Sequence, residues 1–401
     1  MALSATPLTP THAALLVFST LAIIALVRPT RRSPKDTGTS DDTIALSAHS
    51  SDVVPGVLAL IGNTPLVRVN SLSDALGVEI LGKAEFLNPG GSVKDRVALQ
   101  IITEAERRGE IRPGSRVFEG TSGSTGISIA MVAKAKGYDA TIVMPDDTAV
   151  EKMRSVEAFG ATVERVRPAS IVDRRQYVNR AKHLAREYGP LGYFADQFEN
   201  HANFHAHITG TAPEIWKQTK GEIDAFISGA GTGGTIAGVG RYLKDRLPDV
   251  RVVLADCQGS GLYNKVKHGV MYSDRESEGT RRRHQVDTVV EGIGLNRLTA
   301  NVELGLPAID DAFRVSDAEA VAMARHVASH DGLLLGSSSA VNLVACCKLV
   351  NKTQWRGTKR TIVTILCDSG SRHFSKFWND DYLQKIDIPV NSGLVESLLR
   401  P

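Results

Sequence analysis

Four short stretches carry residues whose types and spacing suit chemistry. In residues 88–96 (NPGGSVKDR) a single lysine, Lys94, follows a Gly-Gly pair and a serine where a loop turns into a helix. Gly90 and Gly91 free the backbone and leave room for a ligand to come close. Ser92 can cap the helix, whose apolar positions Val97, Ile101 and Ala105 recur at helical spacing. A lysine partly withdrawn from water there has a lowered pKa and serves as a nucleophilic amine. The same K-D-R also suits an exposed lysine paired with Asp95 in a charged first turn. The other stretches decide between the two.

Residues 121–126 (TSGSTG) stand between an apolar strand and a helix, where hydroxyls and helix-start amides suit a carboxylate. Residues 229–235 (GAGTGGT) hold the same place after another strand, and their glycines let amides surround a phosphate. Residues 369–371 (SGS) follow a third strand. Gly229, Gly231 and Gly234 also satisfy G-x-G-x-x-G, and Asp256 ends the next strand, where a ribose-binding acid would fall. On those residues an NAD-linked dehydrogenase stays open, although it leaves Lys94 and TSGSTG without a role. An amine for an aldehyde, amides for a phosphate and hydroxyls for an amino-acid carboxylate together suit pyridoxal phosphate.

Alternating strands and helices position these loops. The pattern predicts strands at 116–119, 140–144, 161–166, 225–228, 251–255 and 360–366. Helices are predicted at 127–136, 150–159, 171–188, 235–246 and 317–330. Such alternation gives an α/β fold of mostly parallel sheets covered by helices on both faces. The 401 residues are enough for two lobes. A net charge of +3, with no basic stripe, excludes nucleic acid as the partner. Cys257, Cys346, Cys347 and Cys367 have neither zinc nor disulfide-framework spacing, which points to a reducing compartment. Residues 271–284 (MYSDRESEGTRRRH) interrupt the alternation with a charged, solvated loop.

The N-terminus is different in kind. Residues 12–27 (HAALLVFSTLAIIALV) are free of acidic and basic charge apart from His12, and Arg28, Arg31, Arg32 and Lys35 follow at once. The run is short for a span, which takes about 20 apolar residues. No positive charge precedes it, as a secretory signal would require. Basic residues behind it keep the body on the cytosolic side. Residues 1–28 therefore read as a signal anchor helix of mitochondrial outer-membrane type; an endoplasmic reticulum anchor is second and a cleaved signal third. Residues 29–55 read as a flexible linker.

Taken together and in order, these motifs match one family. From about residue 57 to 378 the chain carries IGNTPLVRV, NPGGSVKDR, TSGSTG, QFEN-HAN, TGTAPEIW, SGAGTGGTIAGVGRYLK, EGIG, LLLGSSSA and DSGSR. It resembles the cysteine synthases (O-acetylserine sulfhydrylases) of the cysteine synthase/cystathionine β-synthase family, which are fold type II pyridoxal-phosphate enzymes; the N-terminus resembles their outer-membrane-anchored branch. The resemblance implies a two-lobed catalytic domain at 56–380, with a smaller lobe at about 95–205, a larger lobe of 56–94 plus 206–380, and a C-terminal tail at 381–401. It implies that Lys94 holds pyridoxal 5'-phosphate and moves the substrate's α-proton, and that Gly231, Thr232, Gly233, Gly234 and Thr235 bind the phosphate. Thr121, Ser122, Thr125 and Gln197 would hold the substrate carboxylate, Ser124 would face the cofactor ring oxygen, and Ser369 would meet the pyridine nitrogen. The implied reaction is β-replacement, giving L-cysteine and acetate from O-acetyl-L-serine and sulfide, in a homodimer. Cystathionine β-synthase-like or serine/threonine dehydratase-like chemistry is the alternative within the family. From another class, a catalytically weak, membrane-tethered binding protein is also compatible. Two departures bear on substrate choice: Ser124 stands where the family usually has asparagine, and residues 265–284 are longer and more charged than usual.

Overall fold

The computed structural model describes residues 53–272 and 288–400. The expected anchor at 1–28 and nearly all of the expected linker lie outside the described residues, as does most of the charged loop at 271–284. Among the described residues no helix is long and apolar enough to cross a membrane.

Among the described residues, ten strands form two sheets. They are β1 (Leu66–Arg68), β2 (Glu79–Ala84), β3 (Arg116–Gly120), β4 (Asp139–Pro145), β5 (Thr162–Val166), β6 (Gly192–Phe194), β7 (Ala225–Gly229), β8 (Arg251–Cys257), β9 (Asp311–Val315) and β10 (Thr361–Leu366). The smaller sheet has the order β5-β4-β3-β6 and is parallel throughout. The larger sheet runs β1-β2-β10-β7-β8-β9, and only β1 and β2 pair antiparallel. Central strands such as β8 (RVVLADC) and β10 (TIVTIL) are buried nearly end to end. That is why they read as continuous apolar runs rather than as alternation.

Each sheet has its own core. Ile101, Ile102, Ile129 and Met131 pack with Ile142 and Met144 on the smaller sheet. On the larger sheet, the Ser337–Thr353 helix is buried along most of its length, Cys346 and Cys347 included. Burial pushes both thiols up, Cys347 to about 12. All four cysteines are free thiols.

Three expectations need correction. The helix predicted over 171–188 runs only from Tyr177 to Glu187, because the Gln176 side chain accepts from the Val178 and Asn179 amides and starts the helix there. The helix predicted from 127 begins at Ser124, so half of the hydroxyl loop is already helical. The described part of the segment expected as a tail at 381–401 holds most of the Asp380–Lys385 helix and all of the Gly393–Leu399 helix instead. Their Leu383 and Val395 are fully buried in the larger-sheet core. Each supplies an apolar anchor that short, weakly periodic sequence does not advertise.

Candidate active site

The site starts from the helix Lys94–Arg107. Its N-cap is Val93, and Ser92 does not cap it: Ser92 Oγ accepts only the Lys94 amide, at 3.3 Å. The Val93 amide donates to the Cys367 carbonyl at 3.0 Å, and Ser92 bridges to Asp368. The loop before Lys94 is thereby stitched to the end of β10. Asp95 does not pair with Lys94. It is buried, accepts the Gly90 amide at 2.6 Å and takes a short hydrogen bond from Ser128. Burial pushes its carboxyl up to about 6. A Cβ at Gly90 would lie 2.4 Å from Asp95 Oδ1, so only glycine fits there.

Arg96 fixes the same helix from below. Its guanidinium meets Glu85 at 2.7 and 2.8 Å and Glu214 at 2.7 and 2.8 Å, two bidentate pairs, and also donates to Thr64 at 3.2 Å. Lys83, fully buried, adds a 2.6 Å contact to Glu214. Every charge in this cluster has a partner, as burial demands.

Lys94 opens on a cleft of about 680 Å³. Desolvation by the cleft walls lowers its amine below the usual lysine range, against the opposing pull of Cys367, Asp368 and Glu85. A lowered amine is a better nucleophile and proton acceptor near neutral pH.

Lys94 shares the cleft with Thr121, Ser122, Ser124, Thr125, Gln197, Gly231, Thr232, Gly233 and Thr235. On the wall after β7, the amides of residues 231–235 donate to no described residue, and they lead into the Gly234–Lys244 helix. Five such amides at a helix start form an anion cradle. The loop is held from behind. Asn203 donates to Thr232 Oγ1 at 2.7 Å, Thr299 donates to the Thr232 carbonyl at 2.8 Å, and His207 Nε2 meets Thr235 Oγ1 at 3.2 Å. Burial drives His207 well below the usual histidine range, so it is neutral. A Cβ at Gly231 would lie 1.9 Å from the Gly292 carbonyl oxygen. At Gly234 a Cβ would point away from the cleft lining and meet Asn203 Oδ1 at 2.0 Å, while the Gly234 amide stays at the helix start. It is a packing glycine.

The hydroxyl loop after β3 faces this cradle. Thr125 donates to Gln197 Oε1 at 2.6 Å, and Gln197 Nε2 donates to Glu119 Oε1 at 3.1 Å. Glu119 is fully buried, and burial, with Asp196 nearby, pushes its carboxyl up to about 8. The raised pKa means that folding favours the neutral acid. Its contribution to stability is complete below the ordinary value of 4.5 and is lost as pH rises through about 8. Glu119→Gln, which cannot ionise, is therefore expected to exceed wild type in urea midpoint at pH 8.5 and to match it at pH 4. An equal difference at both pH values would contradict this account of Glu119.

Ser369 is not on the cleft wall. Its hydroxyl contacts Ser371 Oγ at 3.0 Å and accepts the Ser371 amide at 3.2 Å. Ser338, in LGSSSA and beside Cys367, does line the cleft. A charged group also lines the cleft, joining Glu291 of EGIG and Asp368 of DSGSR to Lys152 and His373. Lys152 makes a buried contact with Glu291, and His373 sits 3.2 Å from Glu291 and 3.0 Å from Asp368. Burial lowers His373, but Asp368 and Glu291 outweigh it and hold the ring above the usual histidine range. Lys152 comes from the Val150–Ala158 helix and the others from segments far along the chain, so no sequence spacing joins them.

A desolvated lysine, an amide cradle and a hydroxyl loop in one cleft between two mostly parallel sheets define a cofactor-dependent enzyme of the pyridoxal-phosphate kind. A family model for "Pyridoxal-phosphate dependent enzyme" matches residues 57–368. Cysteine synthase 2 of Schizosaccharomyces pombe is 56% identical, over 84% of this chain and 87% of its own. The Saccharomyces cerevisiae protein named "Putative mitochondrial cysteine synthase" is 57% identical, over 81% of this chain and 84% of its own. Among solved structures, O-ureido-L-serine synthase matches with a TM-score of 0.70 at 29% identity, over 86% of this chain and 100% of its own. The chain belongs to the pyridoxal-phosphate-dependent enzyme family, on its cysteine synthase branch.

Proposed function

We propose that this protein makes L-cysteine and acetate from O-acetyl-L-serine and sulfide by pyridoxal-phosphate-dependent β-replacement. The observation that carries the reading is the meeting of Lys94, the 231–235 loop and the hydroxyl loop with its Thr125–Gln197 hydrogen bond on one cleft. Lys94 would hold the cofactor covalently and move the substrate α-proton, its lowered pKa suiting both tasks. The amides of Gly231, Thr232, Gly233, Gly234 and Thr235 would take the phosphate, with the neutral His207 orienting Thr235. Thr121, Ser122, Thr125 and Gln197 would orient the amino-acid carboxylate, and Ser124 would reach the ring oxygen. Ser338, which lines the cleft where Ser369 does not, would take the place of Ser369 as the hydroxyl for the pyridine nitrogen. When bound, the cofactor supplies an electron sink for the substrate α-carbon. A neutral serine opposite the ring leaves that sink weak, which favours prompt loss of a β-leaving group. Acetate release from O-acetylserine, followed by sulfide-dependent cysteine formation, tests the reading. Activity only with serine and a larger thiol, or deamination with no thiol addition, would overturn it.

The catalytic domain begins at 56 and takes in the two C-terminal helices, with lobes at about 95–205 and at 56–94 plus 206–400, and the enzyme acts as a homodimer. Residues 1–28 anchor it in the mitochondrial outer membrane with the body in the cytosol. Support comes from the charge-free run at 12–27 and the basic residues behind it. Removing residues 1–35 is expected to release a soluble enzyme with full activity. Protease added to intact mitochondria should digest the full-length body. A shortened, protease-protected protein would mean a cleaved targeting segment instead.

A further inference from the structure

The segment after β10 crosses from the larger sheet to the smaller one at the mouth of the cleft. Ser375 donates to Glu151 Oε1 through its amide at 3.2 Å and its hydroxyl at 2.9 Å. Lys376 Nζ donates to the Asp147 carbonyl at 2.8 Å. Between this strap and β10 stands Arg372, whose Nη1 donates to Ser124 Oγ at 3.1 Å. Ser369, which accepts the Ser371 amide, shapes the turn Gly370–Arg372 that aims it.

Two further contacts fix the guanidinium. A Cβ at Gly91 would lie 3.0 Å from Nη2 and 3.3 Å from both Cζ and Nε, so the flat group rests on that glycine. Gly91 has φ +78°, which a side chain would strain in any case. Burial lowers the Arg372 pKa, while Asp368 and Asp95 act in the opposite direction to keep it charged. One arginine thus touches the turn before Lys94 and the helix start within the hydroxyl loop.

A serine hydroxyl has one proton to give, and a guanidinium only donates. Arg372 therefore occupies a lone pair of Ser124 and leaves the hydroxyl proton free to point elsewhere. Ser124 lines the cleft, so the proton is available there. A charged donor on the oxygen polarises the O–H and makes it a stronger donor in turn. We propose that Arg372 is a positioning residue that turns Ser124 into the hydrogen-bond donor for the ring oxygen of bound pyridoxal phosphate. The pair supplies what a longer amide would otherwise supply from position 124. The inference rests on the functional reading above.

The test uses purified full-length protein with pyridoxal phosphate, in wild type, Ser124→Ala, Arg372→Gln, Arg372→Lys and the Ser124→Ala/Arg372→Gln double variant. The readouts are the pH titration of the bound cofactor's visible band and the cofactor dissociation constant by fluorescence. Ser124→Ala and Arg372→Gln should move the titration midpoint in the same direction, and each should weaken cofactor binding roughly tenfold. The double variant should be no worse than either single one, because both remove the same donor. Arg372→Lys keeps the charge without the flat fork and should not restore the band. It also serves if the glutamine variant misfolds. Additive effects, or a shift with Ser124→Ala and none with either Arg372 variant, would overturn the inference alone. A wild-type protein with no cofactor band overturns the functional reading and this inference with it.

Discussion

Lys94→Ala is expected to abolish turnover and to leave pyridoxal phosphate bound without a covalent link. The proton-moving role alone accounts for about 10²–10⁴ in rate, and loss of the attachment adds to it. The cradle at 231–235 does not depend on Lys94, so the variant should still bind the cofactor, more weakly. Dialysis against buffer should then strip the variant and leave wild type loaded. A variant that turns over O-acetylserine at more than a hundredth of the wild-type rate would contradict the role given to Lys94. Cys367 and Asp368 lie close enough to bias the amine, but neither can replace it as a nucleophilic amine.

Arg96→Met is expected to be the most damaging substitution to the scaffold. It leaves the Glu85 and Glu214 carboxylates buried without their main partner, a loss of about 3–5 kcal/mol in unfolding free energy. Burial alone would raise Glu214, but Arg96 and then Lys83 bring it down to about 2. A depressed carboxylate stabilises the fold above its ordinary value of 4.5, and that contribution is lost as pH falls toward 2. Wild type should therefore lose stability steeply between about pH 4.5 and 2, and Arg96→Met should lose much less over the same window. Urea titrations at pH 7 and pH 3 check both halves. Equal pH dependence in the two proteins would show that the cluster does not hold Glu214 in this way.

The α/β architecture is legible in the chain because parallel, doubly covered strands must be continuously apolar, as β7, β8 and β10 are. Their loops are legible for a related reason. Glycines and hydroxyls gather where a strand hands over to a helix, so Lys94, residues 121–125 and residues 231–235 stand out locally. What resists reading is set by distant contacts. Ser338 and Ser369 both stand in serine-rich segments after apolar stretches, and only the packing of the buried Ser337–Thr353 helix puts Ser338 on the cleft. Gly234 matches the glycine spacing as well as Gly231 does, yet Asn203 is what requires it. Asp95 reads as a surface partner for Lys94, whereas Gly90 and Ser128 capture it in the core. The Arg372–Ser124 contact spans 248 positions. No local spacing encodes a contact of that kind.

The most direct test is borohydride reduction of the purified protein followed by peptide mapping. The account predicts a yellow protein whose colour is lost on reduction, with the pyridoxyl label confined to the peptide that contains Lys94. Label on another lysine, or nicotinamide dinucleotide in place of pyridoxal phosphate, would contradict it.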